Sequence, residues 1–313
     1  MVSKYWDDFE RRVEETVSSL KNNQDATIRR CSVYITNKCN FKCKYCNHQK
    51  NQEELSETNF LKILEKYGQK SIIHITGGEP STIDWLYPLI KKCGKNYTIN
   101  LNTNAFIPPP FEVLNRLKVS LDYFEEKYWD CLVGKAGAFK EVVKNIKEAS
   151  KYSTTSITYT VTHDNYHKVV DFVKFCNREF KDLYAVFFSV YKGTNPLFVM
   201  TDEDVEIFFN DLLPILKNEL LPESLSLLTE TIDVKGRVLR STRFPENIEN
   251  TPCYLSMTER VISPKGDEYT CSHLFRDGIF STNPIKYEKC KYGCNRRLVK
   301  FNQEVEEKLK VVG

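Results

Sequence analysis

Apolar side chains recur every three or four positions at the start of the chain, at Trp6, Phe9, Val13, Val17 and Leu20. That spacing draws one stripe along a helix. It predicts an amphipathic helix within 1–27 that packs on the outside of a larger core. From residue 28 the pattern changes. Short runs rich in β-branched and aromatic residues predict strands at 31–36, 71–76, 97–102, 118–121, 154–161 and 183–191. Helical spacing fills most of the gaps. Ser56 reads as the N-cap of a helix carrying Phe60, Ile63, Leu64 and Tyr67 and stopped by Gly68. Further helices carry Trp85, Leu86, Leu89 and Ile90, then Phe139, Val142, Val143 and Ile146, then Val169, Val170 and Val173, then Val205, Phe208, Phe209, Leu212 and Leu213.

Six strand–helix repeats imply an α/β fold with a parallel sheet and helices on its outer face. Six are too few to close as an eight-stranded barrel does. In such sheets ligands gather at the C-terminal ends of the strands. The loop after the first strand, the run Gly77-Gly78-Glu79-Pro80, the pair Thr103-Asn104 and Asp122 all fall there. The fifth strand alternates Ile157, Tyr159 and Val161 with Thr158 and Thr160. The sixth carries Tyr184, Phe187, Phe188 and Tyr191, mostly core, with one or two expected to line a pocket.

Composition narrows the class. With 313 residues, 41% hydrophobic and 28% charged, the chain suits a globular enzyme of one large and one small domain, not a disordered polymer. No apolar run approaches the roughly 20 residues that span a bilayer, and the first residues lack a signal peptide's apolar segment. A cytoplasmic location without membrane attachment is expected. Eleven cysteines in such a chain read as metal or redox sites rather than disulfides. The net charge of +3 is too small to point to nucleic acid. Two basic stretches do stand out. Residues 26–52 hold Arg29, Arg30, Lys38, Lys42, Lys44 and Lys50 and no acid, and Lys286, Lys289, Lys291, Arg296, Arg297 and Lys300 bracket Cys290 and Cys294. Each is either a solvated face or a counterweight to an anionic cluster that also steers an acidic electron donor such as a flavodoxin or ferredoxin.

The cysteines carry the chemistry. Cys39, Cys43 and Cys46 stand in the spacing C-x3-C-x2-C. Three thiolates at that spacing can wrap one face of a cubane iron–sulfur cluster and hold three of its irons, whereas electron-transfer clusters use four cysteines. The fourth iron then keeps a position open. Half of a zinc site is the bland alternative. A second motif follows in Gly77-Gly78-Glu79-Pro80, at the end of an apolar strand. Glycines there let the backbone approach a ligand closely, and a carboxylate suits an ammonium. A plain strand-to-helix turn is the alternative.

Together the two motifs resemble the radical S-adenosylmethionine enzymes. In that family the open iron chelates the amino and carboxylate groups of S-adenosylmethionine. Its reductive cleavage releases a 5′-deoxyadenosyl radical that abstracts hydrogen from an unactivated C–H bond. The resemblance implies a partial (β/α)6 TIM-like barrel, a 4Fe–4S cluster on Cys39, Cys43 and Cys46, and S-adenosylmethionine beside it. It sets Tyr45 near the adenine, Gly77, Gly78, Glu79 and Pro80 at the methionyl amino group, and Ser120, in Val119-Ser-Leu-Asp122, at the methionyl end or ribose. Asn104 and Asp122 complete the expected contacts. Glu79 is expected to serve binding rather than the fold. The stretch 128–139 resembles a family segment whose Arg pairs with the methionyl carboxylate. Val133 stands near that position here, with Lys127 and Lys135 as substitutes.

The second cysteine set is Cys253, Cys271, Cys290 and Cys294. Pro264-Lys265-Gly266-Asp267 reads as a tight turn between two short strands. The pattern C-x12-G-x4-C resembles the auxiliary-cluster domains called SPASM or, shortened, Twitch, and implies a second, auxiliary 4Fe–4S cluster held by all four. A four-thiolate zinc site is the alternative. A fully ligated cluster passes electrons, which suits oxidation of a substrate radical. The expected organisation is 1–27 helix, 28–205 core, 206–245 connecting helix and linker, and 246–313 auxiliary-cluster domain. A small-molecule or nucleotide-like substrate is favoured, because the short N-terminal segment leaves little room for a leader-binding domain. Modification of a ribosomally made peptide is the alternative, and a non-enzymatic iron–sulfur or zinc protein that only carries electrons or binds partners is the rival class. Cys31, Cys93 and Cys176 read as buried small hydrophobes. Cys131 is expected in a loop, either inert or able to donate a hydrogen atom.

Overall fold

Every second residue is buried in β1 (Arg30–Tyr34), β2 (Ile72–Thr76) and β4 (Arg116–Ser120), as a strand with one covered face requires. The same alternation runs through much of β5 (Thr154–Val161). With β3 (Thr98–Thr103) and β6 (Ala185–Val190) these are the six expected strands. The structure is a computed structural model that describes residues 4–48, 50–191, 193–222, 224–225, 252–272, 275 and 296–310, without the side chains of 4–8 and 296–298.

The strand order is β6-β5-β4-β3-β2-β1-β7-β8. Consecutive strands lie side by side from β1 to β6, as winding in one direction produces, and the sheet stays open. Pairing is parallel from β3 through β6 and between β1 and β7 (Glu259–Ile262). β8 (Glu268–Tyr269) runs antiparallel against β7. Helices between the strands complete the α/β fold of a partial TIM-like barrel.

Two units divide the chain. The first takes the described parts of Met1–Tyr34, Leu55–His74 and Arg243–Gly313. In it the expected stripe of α1 (Lys4–Lys21) is filled by Phe9, Val13 and Val17, which cluster with Leu255, Phe301 and Val305. Phe301 belongs to the C-terminal helix Arg296–Lys310, whose ring lies edge-on to Phe9 at 6.0 Å. Ser56 caps α2 (Glu57–Tyr67) by accepting the Asn59 N–H at 3.2 Å. The expected turn closes β7 onto β8. Ser263 N–H donates to Asp267 O and Gly266 N–H to Ser263 O, both at 2.9 Å. Gly266 sits at φ +91, a conformation that glycine adopts without strain.

The second unit takes Ile35–Glu54 and the described parts of Ile75–Thr242. A 3-10 turn at Pro80–Thr82 precedes α3 (Leu86–Cys93). Residues 126–133 form a helix, α4 (Glu126–Val133). Cys131 therefore lies in a helix and not in a loop. Its N-terminus has no side-chain cap, so the sequence carries no start signal for it. Asp130 ties α4 to α5 (Ala138–Ala149) by accepting the Gly137 N–H at 2.6 Å and the Phe139 N–H at 2.8 Å. After α6 (Val169–Glu179) and β6, α7 (Asp202–Ile207) widens into a π turn at Phe208–Leu212 before α8 (Leu213–Glu219). Pro214 accounts for it, since proline has no N–H for the bond a regular helix needs there. Among the described residues no helix is long and apolar enough to cross a membrane.

Candidate active site

The loop of Cys39, Cys43 and Cys46 leaves β1 and is gripped on two sides. On one side runs the end of β2. Ile35 N–H donates to Thr76 O at 2.8 Å, Gly78 N–H to Thr36 O at 2.7 Å and Glu79 N–H to Lys38 O at 2.7 Å. The two backbones touch up to the residue before Cys39. Only glycine fits there. A Cβ on Gly78 would sit 2.1 Å from Lys38 O, and one on Gly77, at φ +139, 2.4 Å from Thr36 O. The close approach that these glycines permit is to the cysteine loop. On the other side Lys42 N–H donates to Val133 O at 2.8 Å and Lys44 N–H to Leu132 O at 3.0 Å, at the end of α4. Phe41 is buried between them, edge-on to Trp129 and Phe106.

Glu79 is 1% exposed and accepts three hydrogen bonds from its own chain. Ser81 N–H donates at 3.0 Å, Thr103 Oγ1 at 2.7 Å and Asn104 N–H at 2.7 Å. Burial pushes its carboxyl up, and these bonds pull it partly back. The carboxylate thus ties β2 to the end of β3, a structural tie beside the binding role expected of it. Asn104 in turn donates from its side chain to Asn40 Oδ1 at 2.7 Å, so both residues brace the cysteine loop.

The Tyr45 hydroxyl donates a hydrogen bond to Asp122, just past β4. Asp122 also accepts the Thr160 N–H at 2.6 Å and is 1% exposed. Burial pushes its carboxyl up to about 6 despite those two donors. Ser120 is exposed at the end of β4. Val133, at the position of the expected Arg, is buried. Lys127 is exposed on α4, and Lys135 Nζ lies over the Phe106 ring at 5.0 Å.

The thiols of Cys39 and Cys43 are raised by their surroundings. Burial first, then Asp122 and the thiols of Cys46 and Cys39, push Cys43 up to about 12, and burial also raises Cys39. Among the described residues no three His, Cys, Asp or Glu side chains converge as a single ion requires. A cubane asks something else, a separate iron for each thiolate. Bound cationic iron would reverse the raised values, since a coordinating thiol is deprotonated outright. Soft thiols in a braced loop thus fit an iron–sulfur cluster.

Comparison with known proteins gives the class. A family model described as the radical SAM superfamily matches residues 33–176, which include all three loop cysteines, Gly77–Pro80 and Asp122. This chain carries a radical SAM domain. A radical SAM domain implies a 4Fe–4S cluster and S-adenosylmethionine. The chain is 26% identical over 227 residues to a probable GTP 3′,8-cyclase of Methanocaldococcus jannaschii, covering 67% of this chain and 72% of that one. It is 30% identical over 178 residues to a GTP 3′,8-cyclase of Helicobacter pylori, covering 50% of this chain and 54% of that one. The chain thus spans about half the length of the second relative. Among solved structures, Streptococcus suis SuiB bound to precursor peptide SuiA superposes with a TM-score of 0.58 at 16% identity, over 86% of this chain and 65% of that one. Native anSMEcpe with bound AdoMet and Cp18Cys peptide gives 0.55 at 17%, over 89% and 80%. At those identities the likeness is one of fold.

In the radical SAM frame the remaining expected residues divide. Cys253 and Cys271 are described in the first unit, both partly buried, with Cys253 against the apolar cluster of α1. Cys290 and Cys294 lie outside the described residues. Cys31 and Cys176 are buried as expected of small hydrophobes, and Cys93 is partly buried. Lys44 Nζ donates to Cys131 Sγ at 3.2 Å. Sequence reasoning missed Asn40, whose side chain takes the bond from Asn104. β4 starts at Arg116, two residues before the expected strand.

Proposed function

We propose that Cys39, Cys43 and Cys46 hold the cluster, that S-adenosylmethionine binds beside it at the C-terminal ends of the strands, and that the substrate is a nucleotide. The observation that carries this reading is the bracing of the cysteine loop: the glycine pair, Glu79 through Asn104, and α4 all fix it. With both bound, a reduced cluster would give S-adenosylmethionine the electron that cleaves its sulfonium, and the chemistry supplied would be hydrogen abstraction from a substrate C–H bond.

This chain's residues then have separate tasks. Gly77 and Gly78 let the β2 end close against the loop, and Glu79 and Asn104 hold Asn40 and the peptide after β3 in place. Asp122 fixes the Tyr45 ring next to two of the thiols, where it excludes water from one wall of the site. Ser120 offers an exposed hydroxyl at the strand end to the methionyl group or ribose. The basic residues Lys42, Lys44 and Lys50 favour docking of an acidic electron donor such as a flavodoxin or ferredoxin. Cys253, Cys271, Cys290 and Cys294 would hold a second 4Fe–4S cluster, which would accept the electron lost by the substrate radical. The nucleotide class is preferred because the curated relatives bear the name GTP 3′,8-cyclase, whereas the peptide-bound SuiB shares only the fold. The test is anaerobic reconstitution with iron and sulfide, reduction, and chromatographic detection of 5′-deoxyadenosine from S-adenosylmethionine. A reconstituted, reduced protein that releases none contradicts the reading.

A further inference from the structure

A turn follows β3 in the second unit and touches the cysteine loop twice. Ala105 stands in it at φ +53, a region that a residue with a Cβ resists, and is fully buried. The turn is closed by its own side chains. Thr103 Oγ1 accepts the Ala105 N–H at 2.9 Å, and Asn104 Oδ1 accepts the Phe106 N–H at 3.0 Å. With the Asn104 oxygen engaged there, its NH2 group is turned onto Asn40 Oδ1, 2.7 Å away. The Phe106 ring meets the Phe41 ring edge-on at 5.8 Å. Asn40 and Phe41 directly follow Cys39. The turn therefore grips the loop between its first and second cysteines.

A left-handed alanine persists only where its surroundings over-determine it. Here the further tie comes from α5. Asn145, 5% exposed, donates from its NH2 group to Ala105 O at 2.8 Å and reaches Phe106 O at 3.5 Å. It shares the buried side of α5 with Val142, Ile146 and Ala149. An amide among apolar neighbours is costly unless it is hydrogen-bonded, and the turn supplies the acceptors. If Ala105 relaxed to negative φ, the Phe106 N–H would leave Asn104 Oδ1. The Asn104 amide would then be free to rotate away from Asn40, and the Phe106 ring to leave Phe41.

We propose that Asn145 is a positioning residue for the cysteine loop. It holds Ala105 left-handed, and the turn so fixed aims the Asn104 amide at Asn40 and seats Phe106 against Phe41. Asn145 acts through the turn and touches neither the cysteines nor what they bind. The proposal rests on the reading that this loop holds the cluster, and it brings α5 into the bracing that β2 and α4 provide.

Amide hydrogen exchange of the apoprotein over 38–46 and 103–107 tests it without any cofactor. Asn145→Leu is expected to speed exchange in both segments about tenfold. Adding Ala105→Gly is expected to return most of the protection over 38–46, because glycine takes the left-handed conformation without strain. The urea midpoint of that double variant stays low, since the Asn145 bond is still missing. Val142→Ala removes apolar volume from the same helix and is expected to lower the midpoint while leaving exchange over 38–46 near wild type. Should Asn145→Leu fail to fold, Asn145→Ser, too short to reach the turn, takes its place in both arms. Unchanged exchange over 38–46 in the Asn145 variant overturns the proposal. So does equal loosening by Val142→Ala, or a double variant that recovers nothing. Iron bound after anaerobic reconstitution is counted separately, with the triple variant Cys39→Ala, Cys43→Ala, Cys46→Ala as baseline. The Asn145 variant should lose most of the iron that separates wild type from baseline and regain it with Ala105→Gly. Loosening over 38–46 while wild type and baseline hold equal iron overturns the cluster reading alone. Unchanged exchange in the Asn145 variant while wild type holds the extra iron overturns the positioning role alone.

Discussion

The Glu79 carboxylate accepts the backbone N–H of Asn104 at 2.7 Å, and Asn104 passes the tie on to Asn40 in the cysteine loop at 2.7 Å. Two residues expected to meet the cofactor thus first hold each other. Replacing Glu79 with Gln turns one acceptor into an NH2 group that faces N–H or O–H donors. A buried donor left unsatisfied costs about 1–3 kcal/mol, and more where the partner was charged. Glu79→Gln is therefore expected to lower the urea midpoint of the apoprotein, measured before any cofactor is added. An unchanged midpoint would show that the three bonds to Glu79 contribute nothing to stability.

Gly78→Ala is expected to disturb the loop itself. The added Cβ would fall 2.1 Å from Lys38 O, one residue before Cys39, so backbone has to move. Iron bound per chain after reconstitution should drop well below the wild-type value. Gly137→Ala is the comparison. Its Cβ meets nothing within 4 Å, and only its φ of +73 resists, a strain of roughly 1–2 kcal/mol. That variant should lose some stability and load iron normally. Equal iron loading in both variants would detach the glycine pair from the loop.

Much of this was legible in the chain. β5 runs over the predicted residues, Thr154–Val161, because alternation and β-branching agree there. Ser56 caps its helix as its side chain dictates. What was not legible depends on partners far along the chain. Thr103 and Asn104 find Glu79 across 24 and 25 residues, and no local pattern encodes that. β7 reads as one arm of a hairpin, and it is; its parallel pairing with β1 is a tertiary choice. α4 was missed because its two turns start without a cap, and Arg116 because a charged residue at a strand start looks like a loop until the register places it opposite Asn100.

Acid should weaken the start of α7. Asp204 accepts the Thr201 N–H at 2.8 Å and lies 2.5 Å from His163 Nδ1. Burial raises its carboxyl, but the bonds from His163 and Thr201 outweigh burial and hold it below the usual value. A group depressed in the folded state contributes stability above its unfolded value, about 3.9, and loses it as pH falls through the folded one. The difference in urea midpoint between wild type and Asp204→Asn should be largest at neutral pH and shrink toward pH 3. A difference that does not change with pH would remove the carboxylate's charge from the explanation.

The auxiliary site separates iron from zinc. If Cys253, Cys271, Cys290 and Cys294 hold a second cubane, the reconstituted protein carries about eight irons, the sum of two four-iron clusters. The triple variant Cys39→Ala, Cys43→Ala, Cys46→Ala should keep about half of them with an iron–sulfur absorption band. One zinc and no iron in that variant would make the site structural and leave the oxidation step without its electron acceptor.

The central claim is that three thiols in a braced loop hold the cluster that cleaves S-adenosylmethionine. Its most direct measurement is 5′-deoxyadenosine released by the reconstituted, dithionite-reduced protein, wild type against the triple variant at Cys39, Cys43 and Cys46. The wild type should release it and the folded triple variant should release none. Equal release by both would contradict the account.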